Sequence, residues 1–531
     1  MLVRNLLLLV GLGIGSQAAL GQASKKESVP DREIREQKLA DLIDSEFDKF
    51  WKKNDITPAP LADDAEFFRR ISLDLVGRIP TVQEVRQFLT DRDPQKRAKL
   101  ISRLEDRSQF YNYFANVLRQ QWLPQTLENA QFADAGVGFE KYLREKLRNK
   151  EKLDVIVRDI LTASSQFTDR QGRMQMEKDD PPAAFNRVNE FNPASVAAAA
   201  SRLFMGVKLE CAQCHNHPFN SFKREQFWEL AAFFSEVNPT IAASGDAKAR
   251  RSIVIPELGK TVTVKFINGE MPKFKDDKES PREVFVNWLT SKDNPYFAAN
   301  MTNRIWQHFF GLGLTDPIDE PSEDNPPLIP ELQKALAQAF IESGFDLQFM
   351  MNAIARSKVY QRSSKMTHQS QSNPKNFARA NVRGMSGEQL YDSLVQATGL
   401  REGFQEIPQM VRGMRSGRAA IVSKFSSPEA LIERQTSILQ ALTLMNGNFL
   451  NNQTDLNKSL FLAGVVDAPF LSPTGKIESL FLATLSRMPT KEELQKYQSY
   501  LDKSKDPETK KKNYTDIFWA LLNSSEFMLN H

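Results

Sequence analysis

The apolar positions along this chain recur mostly at intervals of three and four. Leu39, Leu42, Ile43, Phe47, Phe50 and Trp51 form one such stripe, which predicts an amphipathic helix with a core-facing side. The charged residues 24–38 read as a leader, and the helical signal starts near Asp31. Pro58 and Pro60 break the pattern, and Phe67, Phe68, Ile71 and Leu75 open a second helix ended by Gly77 and Pro80. Thr81-x-x-Glu84 is a capping box: the threonine oxygen accepts from a free amide and the glutamate reaches back. Asp93-Pro94 predicts another start, with Asp as cap and Pro in the first turn. Helical spacing continues through Trp122 and again from Phe139 to Ser164, while residues 170–192 are polar, Pro-bearing and irregular.

Asn192-Pro193 opens the next helix, whose Ala197–Ala200 face predicts tight packing against a neighbour. Ser221 is the expected cap of a helix carrying Phe227, Leu230, Phe233 and Phe234. The period then changes. Ile253-Val254-Ile255 and Val262-Thr263-Val264-Lys265-Phe266 are β-rich runs about Gly259, a hairpin signal. Helical spacing resumes at 282–290 and at Asn303–Gly311, with Gly311 as the residue past the helix end. The fold expected is mainly α: two helical lobes with a small β-hairpin insertion between them. The divisions are 1–23, a signal peptide; 24–237, a helical domain; 238–280, a β-containing insertion; and 281–531, a second helical domain.

A weak internal echo runs through the chain. Arg78-Ile79-Pro80-Thr81-x-x-Glu84 returns as Arg487-Met488-Pro489-Thr490-x-x-Glu493, and Leu161-x-x-Ser164-Ser165-x-Phe167 returns as Leu521-x-x-Ser524-Ser525-x-Phe527. The separations differ, so reuse of one helix-turn-helix unit is expected rather than a solenoid.

Between the Ala-rich helix and the hairpin lies Cys211-Ala212-Gln213-Cys214-His215-Asn216-His217-Pro218-Phe219. It holds both cysteines of the chain and two of its five histidines. Three chemistries suit it. C-x-x-C-H attaches haem c through two thioethers, Cys211 and Cys214, with His215 as axial iron ligand. Cys211, Cys214 and His215 or His217 also suit zinc, given a fourth ligand from elsewhere. A C-x-x-C disulfide in an oxidising compartment is the third. Pro218 and Phe219 turn and anchor the loop rather than do chemistry.

The first 23 residues bear on that choice. Arg4, the apolar run from Leu6 and the Gly21-Gln22-Ala23 site read as a secretory signal. No later stretch reaches the length of a membrane span, so a mature chain without a transmembrane segment is expected, placed in the periplasm, cell envelope or outside the cell. Lys and Arg number 70 against 66 Asp and Glu, a net +4; removing Arg4 with the signal leaves +3. That imbalance argues for neither a nucleic-acid partner nor an anionic membrane surface.

Other chemistry is sparser. Arg304 and His308 share a helix face, and His308 is the expected distal ligand or a general base, against the plainer reading of a structural histidine. Met205 and His217 are further candidates for the sixth iron position. Asp316, Asp319, Glu320, Glu323 and Asp324 form an acidic loop that suits calcium, glycoside hydrolysis or plain solvation. Arg412, Arg415, Arg418 and Lys424 read as a basic surface loop.

Several segments together resemble a known group. These are Phe67–Leu75 with Gly77–Thr81, Gly206-Val207 ahead of the cysteine motif, Asn303–Trp306, Gly311–Leu314, Glu342–Leu347, Gly387–Leu390 and Leu444–Gly447. They are similar to secreted planctomycete proteins that join a cytochrome-c-like domain, of a second type, to a planctomycete-specific C-terminal domain, both of unknown function. The resemblance implies export and a cytochrome-like character resting on the C-x-x-C-H run, with no established reaction. The group often has Asp where this chain has Asn220. The expected function is an exported c-type-haem protein for electron transfer, or a redox partner of an envelope or degradative enzyme. The alternatives are an envelope binding or scaffold protein with a zinc or disulfide loop, and a polysaccharide hydrolase.

Overall fold

The computed structural model describes residues 29–164, 166–168, 174–176, 180–216, 221–322, 324–400, 418, 422 and 448–531. The proposed signal peptide, His217, Glu323, Arg412, Arg415 and Lys424 lie outside the described residues. The protein is mainly helical, 62% helix and 3% strand. Among the described residues, the strands form three antiparallel two-stranded pairs. No helix among the described residues is long and apolar enough to cross a membrane.

The first helix spans Val29–Lys53. Of its predicted stripe, Leu39, Ile43, Phe47 and Trp51 are buried, while Leu42 stays 38% exposed at the edge of the face. Thr81 and Glu84 close the capping box, with Glu84 N–H donating to Thr81 Oγ1 at 3.2 Å and Thr81 N–H to Glu84 Oε2 at 2.9 Å. The same box recurs at Thr490 and Glu493. The second part of the echo does not hold. Residues 166–168 become a strand paired with 174–176, whereas Ser524 caps the short helix Ser525–Met528. That strand and the helix Ala184–Val188 also give order to the stretch read as irregular. Two helix starts move. The helix predicted at Asp93-Pro94 begins at Lys96, because Asp93 Oδ1 accepts instead from Gln95 N–H in a turn. The helix expected from Ser221 begins at Arg224, where Lys223 N–H donates to Gln226 Oε1.

The β insertion is a hairpin, Ser252–Val254 against Thr261–Thr263, with Gly259 in its turn at φ 61°. Its inner positions Ile255, Val262, Val264 and Phe266 are buried, while Val254 faces solvent. They join the same hydrophobic core as the preceding and following helices. That core draws residues from Leu39 to Ala378, with Leu482 from the C-terminal part. A second core gathers Met385 to Phe527, with Leu73 and Ile79 from the N-terminal part.

The helix Asp64–Val76 lies where these cores meet, and every residue from Phe67 to Val76 is buried. Phe67, Phe68, Ile71 and Leu75 pack into the first core and Leu73 into the second. Its charged residues reach across. Arg69 donates to the carbonyls of Thr484 and Phe527, and Arg70 to those of Tyr360 and Arg362. Buried cations remain tolerable there because fixed carbonyl dipoles replace water.

Candidate functional site

The cysteine motif is delivered by the helix Pro193–Ala200. Asn192 caps it, accepting from the N–H groups of Ala194 and Ser195. Its small residues are buried against the turn Ala232–Val237, as the Ala-rich face predicted. The helix ends in one π-helical turn, Ser201–Met205, stopped by Gly206 in the left-handed region at φ 71°. A side chain at 206 would sit 2.7 Å from Asn300 Oδ1, so both backbone and space require glycine. Val207 and Leu209 then anchor the approach in the core, and Lys208 N–H donates to Asp319 O at 3.1 Å.

Glu210–Ala212 form a single 3-10 turn, with Ala212 fully buried. The motif is braced from the following helix, Arg224–Ala231. Gln213 O accepts from Trp228 Nε1 at 3.0 Å and from Arg224 Nε at 3.2 Å. Asn216 Oδ1 accepts from Arg224 N–H at 3.0 Å. Arg224 Nη2 continues to Pro256 O at 3.0 Å, tying the loop to the hairpin tip. This brace was not read from the sequence. Its only sequence signal is that Arg224 and Trp228 stand four apart on the next helix, facing one way.

Both cysteines are free thiols, Cys211 half-buried and Cys214 exposed. His215 is exposed, and its Nδ1 lies 2.7 Å from Asn216 O. A carbonyl oxygen only accepts, so Nδ1 carries the hydrogen. The lone pair is therefore left on Nε2. This is the arrangement found in metal-ligating imidazoles: one nitrogen held by a backbone carbonyl, the other free to coordinate. By residue type, the two thiols and this nitrogen are what haem c attachment needs. For zinc, the described residues hold no cluster of three or more His, Cys, Asp or Glu side chains able to take a metal ion.

The other candidates lie elsewhere. His308 Nε2 is 2.8 Å from Asp74 O, and its ring packs on Tyr113 and Phe114. Burial pushes its pKa down, outweighing the pull of the nearby Asp74 carboxylate. None of its hydrogen bonds or ring contacts goes to residues 211–216. Arg304 does reach toward the motif: it donates to Arg202 O at 2.8 Å and pairs with Asp319. Met205 is buried in the core. In the acidic loop, Asp316 pairs with Lys375, Asp319 with Arg304 and Glu320 with Lys208. Arg418 pairs with Asp392.

Residues 42–239 match the family PSCyt2, described as a protein of unknown function (DUF1549), and residues 281–418 match PSD1, a protein of unknown function (DUF1553). These are the two families to which the sequence resemblance pointed. The cysteine motif lies inside the first match and Arg304 and His308 inside the second, with the hairpin between. No curated protein and no solved structure matches the chain.

Proposed function

We propose that this protein is an exported carrier of haem c, attached through Cys211 and Cys214 with His215 as axial ligand. It acts in electron transfer or as redox partner of an envelope or degradative enzyme. The observation that carries the reading is His215: its Nδ1–H is held on Asn216 O, which leaves Nε2 free in the same C-x-x-C-H run as two free thiols. Haem, when bound, supplies one-electron redox chemistry. The chain supplies the attachment and the fixed ring orientation. The Arg224 and Trp228 hydrogen bonds hold the intervening Gln213 backbone in place. Export rests on the N-terminal segment and agrees with what haem c attachment requires.

The test is expression with an N-terminal export signal in a host that has cytochrome-maturation machinery. The expected result is haem staining on a denaturing gel and a mass above that of the bare chain by one haem. Cys211→Ser with Cys214→Ser should abolish both. A mass equal to the bare chain overturns the reading. Elemental analysis of that same preparation then separates the alternatives: one zinc per chain supports a metal loop, and a mass two units low supports a disulfide.

A further inference from the structure

The segment that delivers the cysteine motif is held at both ends by the region of the second family match. The last carbonyls of a helix have no partner within it. At the end of Pro193–Ala200 and its π-helical turn, two of them find partners far along the chain. Asn300 Nδ2 donates to Leu203 O and Arg304 Nη2 to Arg202 O, both at 2.8 Å. Asn300 and Arg304 stand four apart on Phe297–Phe310, so one face of that helix closes the end of the other. A guanidinium there also opposes the negative end of the helix dipole.

Beyond Gly206 the same face acts again. Arg304 Nη2 pairs with Asp319, and Asp319 O accepts from Lys208 N–H at 3.1 Å. Asn303 steadies the chain leading to Asp319: its Oδ1 accepts from the N–H groups of Leu314 and Thr315, and its Nδ2 donates to Thr315 O. Arg304 therefore holds the approach to the motif directly at Arg202 and, through Asp319, at Lys208. A third link is weaker. Arg202 Nε lies 3.5 Å from Glu210 Oε1, one residue before Cys211, but both side chains are 35% exposed and the pair contributes little.

We infer that Arg304 is a positioning residue for Cys211 and Cys214, so that the cysteine site of the first family match is completed by the helix Phe297–Phe310 of the second. Arg224 and Trp228 brace the motif from Gln213 onward. The approach before Cys211 is a π-helical turn, a left-handed glycine and a 3-10 turn, with no continuous helix or strand to fix it. Its long-range partners decide its place. Arg304 is suited to that role because its side chain is only 10% exposed, where a charge-assisted hydrogen bond is strong. The inference does not rest on the haem reading, since haem, zinc and a disulfide all require the two thiols to be held.

The experiment uses the full chain without cofactor. Hydrogen exchange is followed by mass spectrometry in peptides within residues 201–213, and modification of Cys211 by dithiodipyridine is timed in parallel. Arg304→Met should raise both rates about tenfold, the scale of one lost hydrogen bond to a charged group. Arg304→Lys keeps a cation for Asp319 and should fall between the parent and Arg304→Met. Tyr360→Phe lowers global stability without touching these contacts and should leave both rates at the parent values. Should Arg304→Met not fold, Asp319→Asn breaks the same pair at a side chain that is 26% exposed, and it should raise both rates several-fold. Parent rates in Arg304→Met or, where that variant does not fold, in Asp319→Asn overturn the proposal. An equal rise in Tyr360→Phe also overturns it, since the effect is then global. Equal rates in Arg304→Met and Arg304→Lys overturn it too, since packing alone then explains the site.

Discussion

Arg383 grips Asp74 with one nitrogen, Nη2, placed 2.8 Å from Oδ1 and 3.0 Å from Oδ2, across 309 residues of sequence and fully inside the protein. Tyr360 Oη adds a bond to Oδ2 at 2.8 Å and Asn530 Nδ2 one to Oδ1 at 2.7 Å. The backbone oxygen of Asp74 takes His308, and Arg383 Nη1 donates to His308 O. Through its carboxylate and its backbone oxygen, Asp74 therefore joins the central helix, the His308 helix, the segment after Ser357 and the extreme C-terminus.

Removing that charge leaves Arg383 buried without its counter-ion. Asp74→Asn should cost about 3–5 kcal/mol, the range for breaking a buried pair from one side. Tyr360→Phe deletes only one hydrogen bond to a charged group and should cost about 1.5–3 kcal/mol. Urea unfolding of the two variants measures both. A loss below 1 kcal/mol for Asp74→Asn would show that the cluster does not join the two cores.

Glu105 is a second buried carboxyl, 4% exposed, with Oε1 lacking a partner. Burial, and then the nearby Glu36 carboxylate, hold its pKa well above the usual carboxylate range. The folded state thus keeps a proton that the unfolded state releases. Stability from this group falls as pH rises above the unfolded value, and the loss is complete above the folded one. Glu105→Gln should match the parent near pH 4 and exceed it at alkaline pH. Thermal unfolding from pH 4 to 9 reads the crossing, and parallel profiles would contradict it.

His531 has the opposite sign. Burial, and then Arg69, push its pKa down to about 4. The folded state resists protonation, so stability declines as pH falls from the ordinary histidine value of about 6.5 toward about 4. Below that the loss levels at about 3 kcal/mol. His531→Asn should remove this acid-side decline, visible in urea midpoints between pH 7 and 4.

Gly77 ends the central helix at φ 71°, and a Cβ there would lie 2.3 Å from Tyr113 Cδ2. Gly77→Ala combines left-handed strain with overpacking, together about 2–5 kcal/mol. Gly259, at φ 61° with open space around it, carries only the strain. Gly259→Ala should cost about 1–2 kcal/mol. Equal losses in thermal unfolding would mean Tyr113 moves aside freely.

The motif brace has a chemical readout. Cys214 is exposed and Cys211 half-buried, so a thiol reagent should modify Cys214 first in the bare chain. Arg224→Ala frees the Gln213 and Pro256 carbonyls from one partner each, while the backbone N–H of residue 224 keeps its bond to Asn216 Oδ1, and should speed labelling of Cys211 several-fold. Mass spectrometry at short times follows each site, and unchanged rates would remove Arg224 from that role.

The helical character, the hairpin about Gly259, the two Thr-x-x-Glu caps and the Ala-rich face were all legible in the sequence. Each depends on residues within a turn or two of one another. The cysteine motif, too, is written in adjacent positions. Starts at Asp93 and Ser221 were misplaced because competing turns a few residues away took the capping bonds. What only the tertiary structure decided is the partner of each side chain at long range. Leu73 and Leu75 are alike in sequence but face different cores. Asp74 between them carries no signal of Arg383, Tyr360 or Asn530. Arg304 and His308 were correctly placed on one face, yet they turn to different partners, Arg202 O and Asp74 O. Periodicity fixes which side of a helix a residue occupies; it holds no information on which of many apolar faces will pack there, because burial is non-directional.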